Sequence, residues 1–562
     1  MGRPLPLIYL CIVVFSLIAA LAYQPWSFDA TTYRLPRLLY WWGEKHWYWI
    51  GTLDHRLDFS SCGFEWQMLP VIEATHSDRL LFLLNWVPFL LLPGLTFFAF
   101  KALGARGRTA RRWMWLLPTG YCIALQTSGL QNDGYSVNYL LAAIGFAVIA
   151  YRSSWLGGVL MSVLAASLLT GAKLSNAPLL LPLGVMLLPA LGRVKLLNWK
   201  VPVVLVIAAA CSFLPMALLC IKNTGDYAGD PKDQWDVKAR NPVGCLMANV
   251  GIFLNDAVQP PLLPGSDRFE KMIEPAEKKV QPLMDWLHYS HPHFGNIHFG
   301  EMVYEGTAGI GFGICAYLFF VLAGQFFVKR PVTQAGAGSL LWAWRLGPIL
   351  AWVAYAIMAM KLASPHTARI SVPYYPLMML SLLRCPRVAA FERRKVAGLA
   401  AGLAAFTVIP IIIFTPARPL IPPPLISWME SKPSFKSFAD KYQLWGTFRD
   451  DLAPIREAIP PDVTRLGYAG GFLETSYGLW KPLGSRRIVE LGLPVGSATL
   501  PGGDIQYAVI TERGIRDRYS MDMDAWLRLT GAETVYVMKR NVALDGRTAK
   551  SYESWALVRL HR

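Results

Sequence analysis

Apolar runs of about 20 residues, the length a helix needs to cross a bilayer, recur in this chain from Leu5 to Thr415. No other feature restricts the fold so strongly. One large soluble helical core would not carry so many long apolar runs separated by charged loops. Only 16% of the residues are charged and 54% are hydrophobic, whereas a soluble protein carries about 25% charged residues. The expected fold is an α-helical polytopic membrane protein, with a more polar C-terminal part. Eleven helices are expected, near residues 5–23, 80–100, 113–128, 135–151, 155–170, 177–191, 201–221, 307–328, 340–361, 370–383 and 396–415. The first run contains "IAALAYQ", whose small residues would suit signal cleavage. The specialised stretch after it favours an uncleaved first helix instead.

The formal charge of +17 invites a nucleic-acid reading, but its distribution argues against one. With the N-terminus inside, the inner loops collect Lys and Arg, among them Arg106, Arg108, Arg111, Arg112, Arg393, Arg394 and Lys395. Glu392 is the lone acid there. This asymmetry sets orientation. The basic balance is thus a topology signal, and residues 417–562 are expected on the extracytoplasmic side. Nucleic acid is not an expected partner; the bilayer is. The eight cysteines form no framework. Cys62 and Cys245 are the two expected outside, and a bridge between them is conceivable but not favoured.

Two domains follow. Residues 1–416 form the membrane module, with outer loops at 24–79 and 222–306. Residues 417–562 form an extracytoplasmic α/β domain. In the first loop, "LLYWWGEKHWYWIG" is expected to lie on the membrane as an amphipathic helix. In the second, "DRFEKMIEPAEKKVQPLMDWLHY" has helical spacing. The C-terminal domain opens on a linker, "TPARPLIPPPLISW", whose prolines argue against a helix. Five β-rich runs follow: "RLGYAG", "RRIVELGL", "QYAVITER", "ETVYVMKR" and "SWALVRL". A helix over "IRDRYSMDMDAWLRLTG", ending at Gly531, lies between the third and fourth. "GYAGG", Gly467 to Gly471, reads as a tight turn after a strand.

Ionisable groups at membrane depth are costly and usually functional. Asp29 follows the first helix in "SFDATTYRLPR". Asp133 sits in the turn "QTSGLQNDGY", and Lys173 in "LLTGAKLSNAP". Lys361 and Arg369 bracket the turn in "MKLASPHTARISVPYYP". All fall on the same, outer face by the expected topology. Capping or snorkelling explains any one of them, but explains the set poorly. A carboxylate takes a proton from an attacking hydroxyl, while lysine and arginine hold a phosphate. The combination suits a lipid phosphate as leaving group.

These stretches resemble, in order, the motifs of bacterial GT-C membrane glycosyltransferases. The relatives in question are dolichyl-phosphate-mannose–protein mannosyltransferase and the lipid A aminoarabinose transferase. "FDATTYRLPR" is similar to their D-x-x-x-Y-H-x-P-R opening. "QTSGLQND" resembles S-T-Q-N-D, and "LLTGAKLSNAPLLLP" resembles L-T-K-x-T…L-P. "MKLASPHTARISVPYYPLMML" resembles their late K-W-Q-P-W-x-x-R…P…P segment, and "HFGEMVYEGTAGIGFG" faintly resembles H-E-D-x-A-G-N-P. The likeness covers roughly residues 5–385. It implies transfer of a sugar from a polyprenyl-phosphate donor to an acceptor hydroxyl on lipid, glycan or protein, with inversion. It makes Asp29 the general base, with Asp133 the competing carboxylate. Tyr33, Arg34, Arg37, Lys173, Lys361 and Arg369 become the substrate-binding set. One departure stands out: Arg34 replaces the family's histidine after the tyrosine.

No cofactor and no metal is expected. His288, His291, His293, His298 and Glu301 are dense enough to suggest zinc, but their spacing fits no strict zinc pattern. "DHRLD", Asp54 to Asp58, looks like a metal-binding acid pair and is expected to be a structural loop instead. Two other readings stay open: a transporter or flippase of lipid-linked saccharides, and a non-catalytic scaffold of the same fold. Transporters show broken helices and paired halves. Convergence of Asp29, Asp133, Lys173 and Arg369 on one site would favour the enzyme.

Overall fold

The computed structural model describes residues 4–24, 27–229, 241–259, 263–289, 296, 297, 299, 303–329, 340–362, 364, 366–432, 435, 450–491, 505–541 and 552–561. Among the described residues, six helices are long and apolar enough to span a bilayer. They are Pro4–Ala22, Leu83–Ala102, Asp133–Ser153, Leu174–Leu191, Trp342–Lys361 and Lys395–Ile413. A seventh span results if Lys200–Cys211 and Leu214–Thr224, bent by 58°, are counted as one.

All eleven expected positions are helical, but four depart from a single full-length span, besides the bent pair. Leu156–Ala172 and Phe312–Phe327 are short. The stretch expected at 113–128 breaks at Pro118 and Gly120, and Tyr121–Gln126 resumes beyond them. There the backbone turns aside, and the N–H groups of Tyr121 and Cys122 donate to the carbonyls of Ile310 and Gly309. The stretch at 370–383 is cut by Pro373 and Pro376, neither of which has an N–H to give a helix. The outer loop 222–306 contains an apolar helix at Pro242–Val258. The helix expected from Asp267 onward is present as Leu263–Trp286.

The C-terminal region forms a mixed sheet of five strands: β1 (Arg465–Ala469), β2 (Arg487–Glu490), β3 (Tyr507–Thr511), β4 (Glu533–Asn541) and β5 (Tyr552–Arg559). Their order is β2-β1-β3-β5-β4. The pairs β1–β2 and β1–β3 are parallel; β3–β5 and β4–β5 are antiparallel. All five coincide with the β-rich runs, and "GYAGG" turns directly after β1. The helix expected between β3 and β4 is two helices, Glu512–Tyr519 and Met523–Thr530. Ser520 breaks it at φ 54°, and the Asp522 side chain caps the second piece by accepting Ala525 N–H at 2.6 Å. Gly531, at φ 64°, ends it as expected.

Two expectations about loops are corrected. Leu35–Glu44 is a helix, but Leu35 to Trp41 are buried, so it does not lie on a membrane surface. Its Tyr40 ring meets Trp480 edge-on at 5.2 Å, and its Tyr40 hydroxyl donates to Glu490 at the end of β2 at 2.6 Å. Leu38, Leu39 and Tyr40 share one apolar cluster with Leu466 and Leu557 of the C-terminal sheet and with Trp480 of the turn between β1 and β2. The proline-rich linker is not devoid of helix. Pro423 opens the helix Pro423–Glu430, because proline suits a first turn whose N–H groups lack partners anyway. Cys62 and Cys245 are free thiols buried in separate clusters, with no bridge between them.

Candidate active site

The polar cluster assembles from four breaks between helices. Asp29 directly precedes a π-helical turn, Ala30–Arg34, in which Leu35 N–H donates to the Ala30 carbonyl five residues back. Such turns are rare and collect at functional sites. Asp133 opens the helix Asp133–Ser153, where an acid is favoured by the helix dipole. Lys173 stands in extended backbone between Leu156–Ala172 and the turn that follows. Arg369 lies on the single turn Thr367–Ile370.

Arg369 joins the two acids. Its Nη1 donates to Asp29 Oδ2 at 2.9 Å and to Gln131 Oε1 at 3.2 Å. Its Nε lies 3.5 Å from Asp133 Oδ2. That is an ion pair without hydrogen-bond geometry, so the buried Nε–H lacks a hydrogen-bond partner among the described residues. Lys173 Nζ donates to Asp133 Oδ1 at 2.8 Å. Gln126 completes the grip on Asp133: its amide donates to Oδ2 at 3.1 Å, and its Oε1 accepts the N–H groups of Asp133 and Gly134. Gln131 in turn donates to Ser27 Oγ at 3.1 Å. Asn85 donates to the carbonyls of Gly129 and Gln131, fixing the turn.

Exposure separates the carboxylates. The Asp133 side chain is 1% exposed, whereas Asp29 is 12% and Lys173 is 21% exposed. Burial alone would raise the Asp29 pKa. Arg369, Arg34, Arg56 and Lys173 outweigh it and hold the carboxyl well below the usual range. Asp29 is therefore ionised at any physiological pH.

Sequence reasoning assigned Tyr33, Arg34, Arg37 and Lys361 to substrate; they are differently placed. Arg34 and Arg37 both face Glu65, at 3.3 and 2.5 Å, and all three are buried. Arg37 also donates to the carbonyls of Ser60 and Ser61. The guanidinium groups of Arg34 and Arg37 stand 5.0 and 5.9 Å from the Tyr33 ring. Lys361 is exposed at a helix end, where a cation offsets the dipole, and the cluster does not include it.

Gln126, Gln131 and Arg56 were missed. Arg56 is held in a two-point fork by Asp54, with contacts of 2.8 and 2.5 Å, and lies 4.9 Å from the Tyr33 ring. Asp58 accepts backbone N–H groups from Ile50, Gly51 and Thr52. "DHRLD" thus spends its acids on a loop and an arginine. Among the described residues no group of three metal-ligating side chains converges. His291, His293, His298 and Glu301 lie outside the described residues, while His288, at φ 50°, stands in the turn after the helix Leu263–Trp286.

No family model matches the chain, and no curated protein matches it. Among solved structures, ArnT from Cupriavidus metallidurans bound to undecaprenyl phosphate is similar at 13% identity and a TM-score of 0.40. The apo state of the same protein is similar at 12% identity and a TM-score of 0.37. Both comparisons cover 98% of this chain and 97% of the other.

Proposed function

We propose that this chain is an integral membrane glycosyltransferase. It moves a sugar from a polyprenyl-phosphate donor to an acceptor hydroxyl. The observation that carries the reading is the shared Arg369: one buried guanidinium bound to both carboxylates, with Lys173 closing the row. The five ordered motif likenesses in the sequence support the same reading.

The roles follow from exposure and charge. Asp133 is sealed and held by Lys173, Arg369 and Gln126, so it organises the cations and does not meet substrate. Asp29 has an open edge and is the general base. A depressed pKa makes it a weak base while Arg369 holds it. When the donor phosphate pairs with Lys173, the most exposed cation of the row, and draws on Arg369, the pull on Asp29 is shared and its basicity rises. The acceptor oxygen then attacks the anomeric carbon as its proton passes to Asp29. The bond to the phosphate oxygen breaks, and polyprenyl phosphate leaves with the electron pair. Arg369 and Lys173 stabilise the charge that grows on it. The C-terminal domain and this site would lie on the extracytoplasmic side.

The transporter reading finds little support. The bent pair, Lys200–Cys211 and Leu214–Thr224, contributes none of Asp29, Asp133, Lys173 and Arg369, so the polar cluster is not built on that broken span.

The test is a matched pair of variants, Asp29→Asn and Asp133→Asn. Membranes from a strain lacking the gene supply the native donor and acceptor, and the envelope product is followed by mass. Asp29→Asn should insert normally, bind undecaprenyl phosphate, and turn over about 10²–10⁴-fold more slowly. Normal turnover in Asp29→Asn would remove the base from the mechanism.

A further inference from the structure

The π-helical turn after Asp29 is incomplete. Leu35 N–H serves the Ala30 carbonyl, and by the same spacing the donor for the Thr31 carbonyl is residue 36. That residue is Pro36, which has no N–H. Thr31 is buried, and a buried carbonyl without a donor is costly. The donor comes from 444 residues away: the Thr475 hydroxyl of the C-terminal domain donates to the Thr31 carbonyl.

Thr475 is held for this task. Its Oγ1 accepts the Tyr477 N–H at 3.1 Å, which aims its proton outward. The loop bearing it leaves β1 through Leu473, at φ 63°, a conformation L residues adopt only where their surroundings impose it. The neighbouring Glu474 carboxylate ties the loop down by accepting Gly471 N–H at 2.6 Å and the Thr511 hydroxyl. Further along, Tyr477 donates to Asp78 and Lys481 to Gln24.

The sheet end involved is where open α/β sheets usually receive ligands, at the carboxyl ends of parallel strands where the order reverses. Here the reversal lies between β1 and β3. The chain fills that crevice itself. A Cβ on Gly514 would sit 2.0 Å from the Ala469 carbonyl oxygen, and one on Gly471 would sit 2.4 Å from the Arg513 side chain. Glu490, at the end of β2, and Thr475, in the loop after β1, reach Tyr40 and Thr31 of the first loop.

We propose that Thr475 is a positioning residue for Asp29, and that the C-terminal domain uses its ligand-binding edge to complete the turn behind the general base. The proposal rests on the glycosyltransferase reading above. The experiment uses the full chain in nanodiscs, with undecaprenyl phosphate as binding probe, and the same membranes for turnover. Thr475→Val should raise amide exchange across residues 28–35 and lower kcat about tenfold. Affinity for undecaprenyl phosphate should stay unchanged. Thr475→Ser, which keeps the hydroxyl, should behave as wild type. Pro36→Ala supplies the missing N–H, so Pro36→Ala with Thr475→Val should regain most of the lost rate and protection. A Thr475→Val protein with wild-type exchange and kcat overturns the proposal. So does a Thr475→Ser protein as impaired as Thr475→Val, or a double variant that regains nothing. If Asp29→Asn is inactive while Thr475→Val is unaffected, the positioning role alone is wrong. If Asp29→Asn turns over normally, the glycosyltransferase mechanism falls and the positioning role with it.

Discussion

Glu65 has no exposed surface and faces two guanidinium groups. Removing one member of a buried ionic group leaves the others uncompensated, at a cost of about 3–5 kcal/mol. Glu65→Leu should therefore lower the melting temperature of the detergent-solubilised protein sharply. Arg37→Ala should do the same, because it also abandons the carbonyls of Ser60 and Ser61. A fully stable Arg37→Ala that loses only affinity for polyprenyl phosphate would restore the sequence-based assignment of Arg37 to substrate. Residue type could not separate these roles. An arginine beside a base looks the same whether it meets phosphate or a glutamate 28 residues away. Asp29 permits a pH prediction. Its folded pKa lies below the ordinary 3.8, so the stability from its charge is fully present above that value and lost as pH falls below it. Asp29 should therefore impose no acid limb on kcat/KM between pH 5 and pH 8, as a rate profile in native membranes would show. A limb near pH 6 that disappears in Asp29→Asn would contradict the cationic surroundings of this carboxylate.

Between elements, the closest approach fixes Lys173. Gly63 N–H donates to the Gly171 carbonyl at 2.9 Å. A Cβ on Gly171 would stand 1.9 Å from the Cys211 carbonyl oxygen, and one on Gly63 would stand 2.5 Å from it. Three chain segments meet where only glycine fits, two residues before Lys173. Gly171→Ala must push the segments apart, at about 1–3 kcal/mol. It should also weaken undecaprenyl phosphate binding in nanodiscs without touching any charge. Unchanged binding would show that Lys173 does not depend on this contact. The elements themselves were mostly legible. Apolar length marked the helices, and short β-rich runs marked all five strands. What the pattern hid were breaks set by partners. Tyr121 and Cys122 leave their helix for the backbone of residues 309–310. The helix of residues 35–44 reads as amphipathic because one side meets Trp480 and Glu490, which no local period reveals. The motif turns located Asp29, Asp133, Lys173 and Arg369. Gln131 went unremarked within the same turn, since a glutamine carries no charge to draw attention.

For the whole molecule, the C-terminal sheet and the first loop share one apolar cluster, so the two parts should melt together. A single calorimetric transition for both is expected; two separated transitions would indicate independent folding. Orientation is tested apart from stability. Ser520 is exposed between two helices of the C-terminal domain. Ser520→Cys should react with a membrane-impermeant thiol reagent in intact cells in which the outer compartment is accessible. Labelling only after lysis would place the domain, and the polar cluster joined to it, on the cytoplasmic side.

The Asp29–Arg369 pair spans 340 residues of sequence, and a ribosome makes the acid first. At about 5–20 residues per second, the matching arginine follows about 20–70 s later. Throughout that interval the nascent chain carries Asp29 without the arginine that bonds it directly. Translation arrest or a frameshift before Arg369 would make that condition permanent. A carboxylate at membrane depth that lacks its direct partner is costly, so shortened chains should be less stable in the membrane and be cleared faster than the full-length protein.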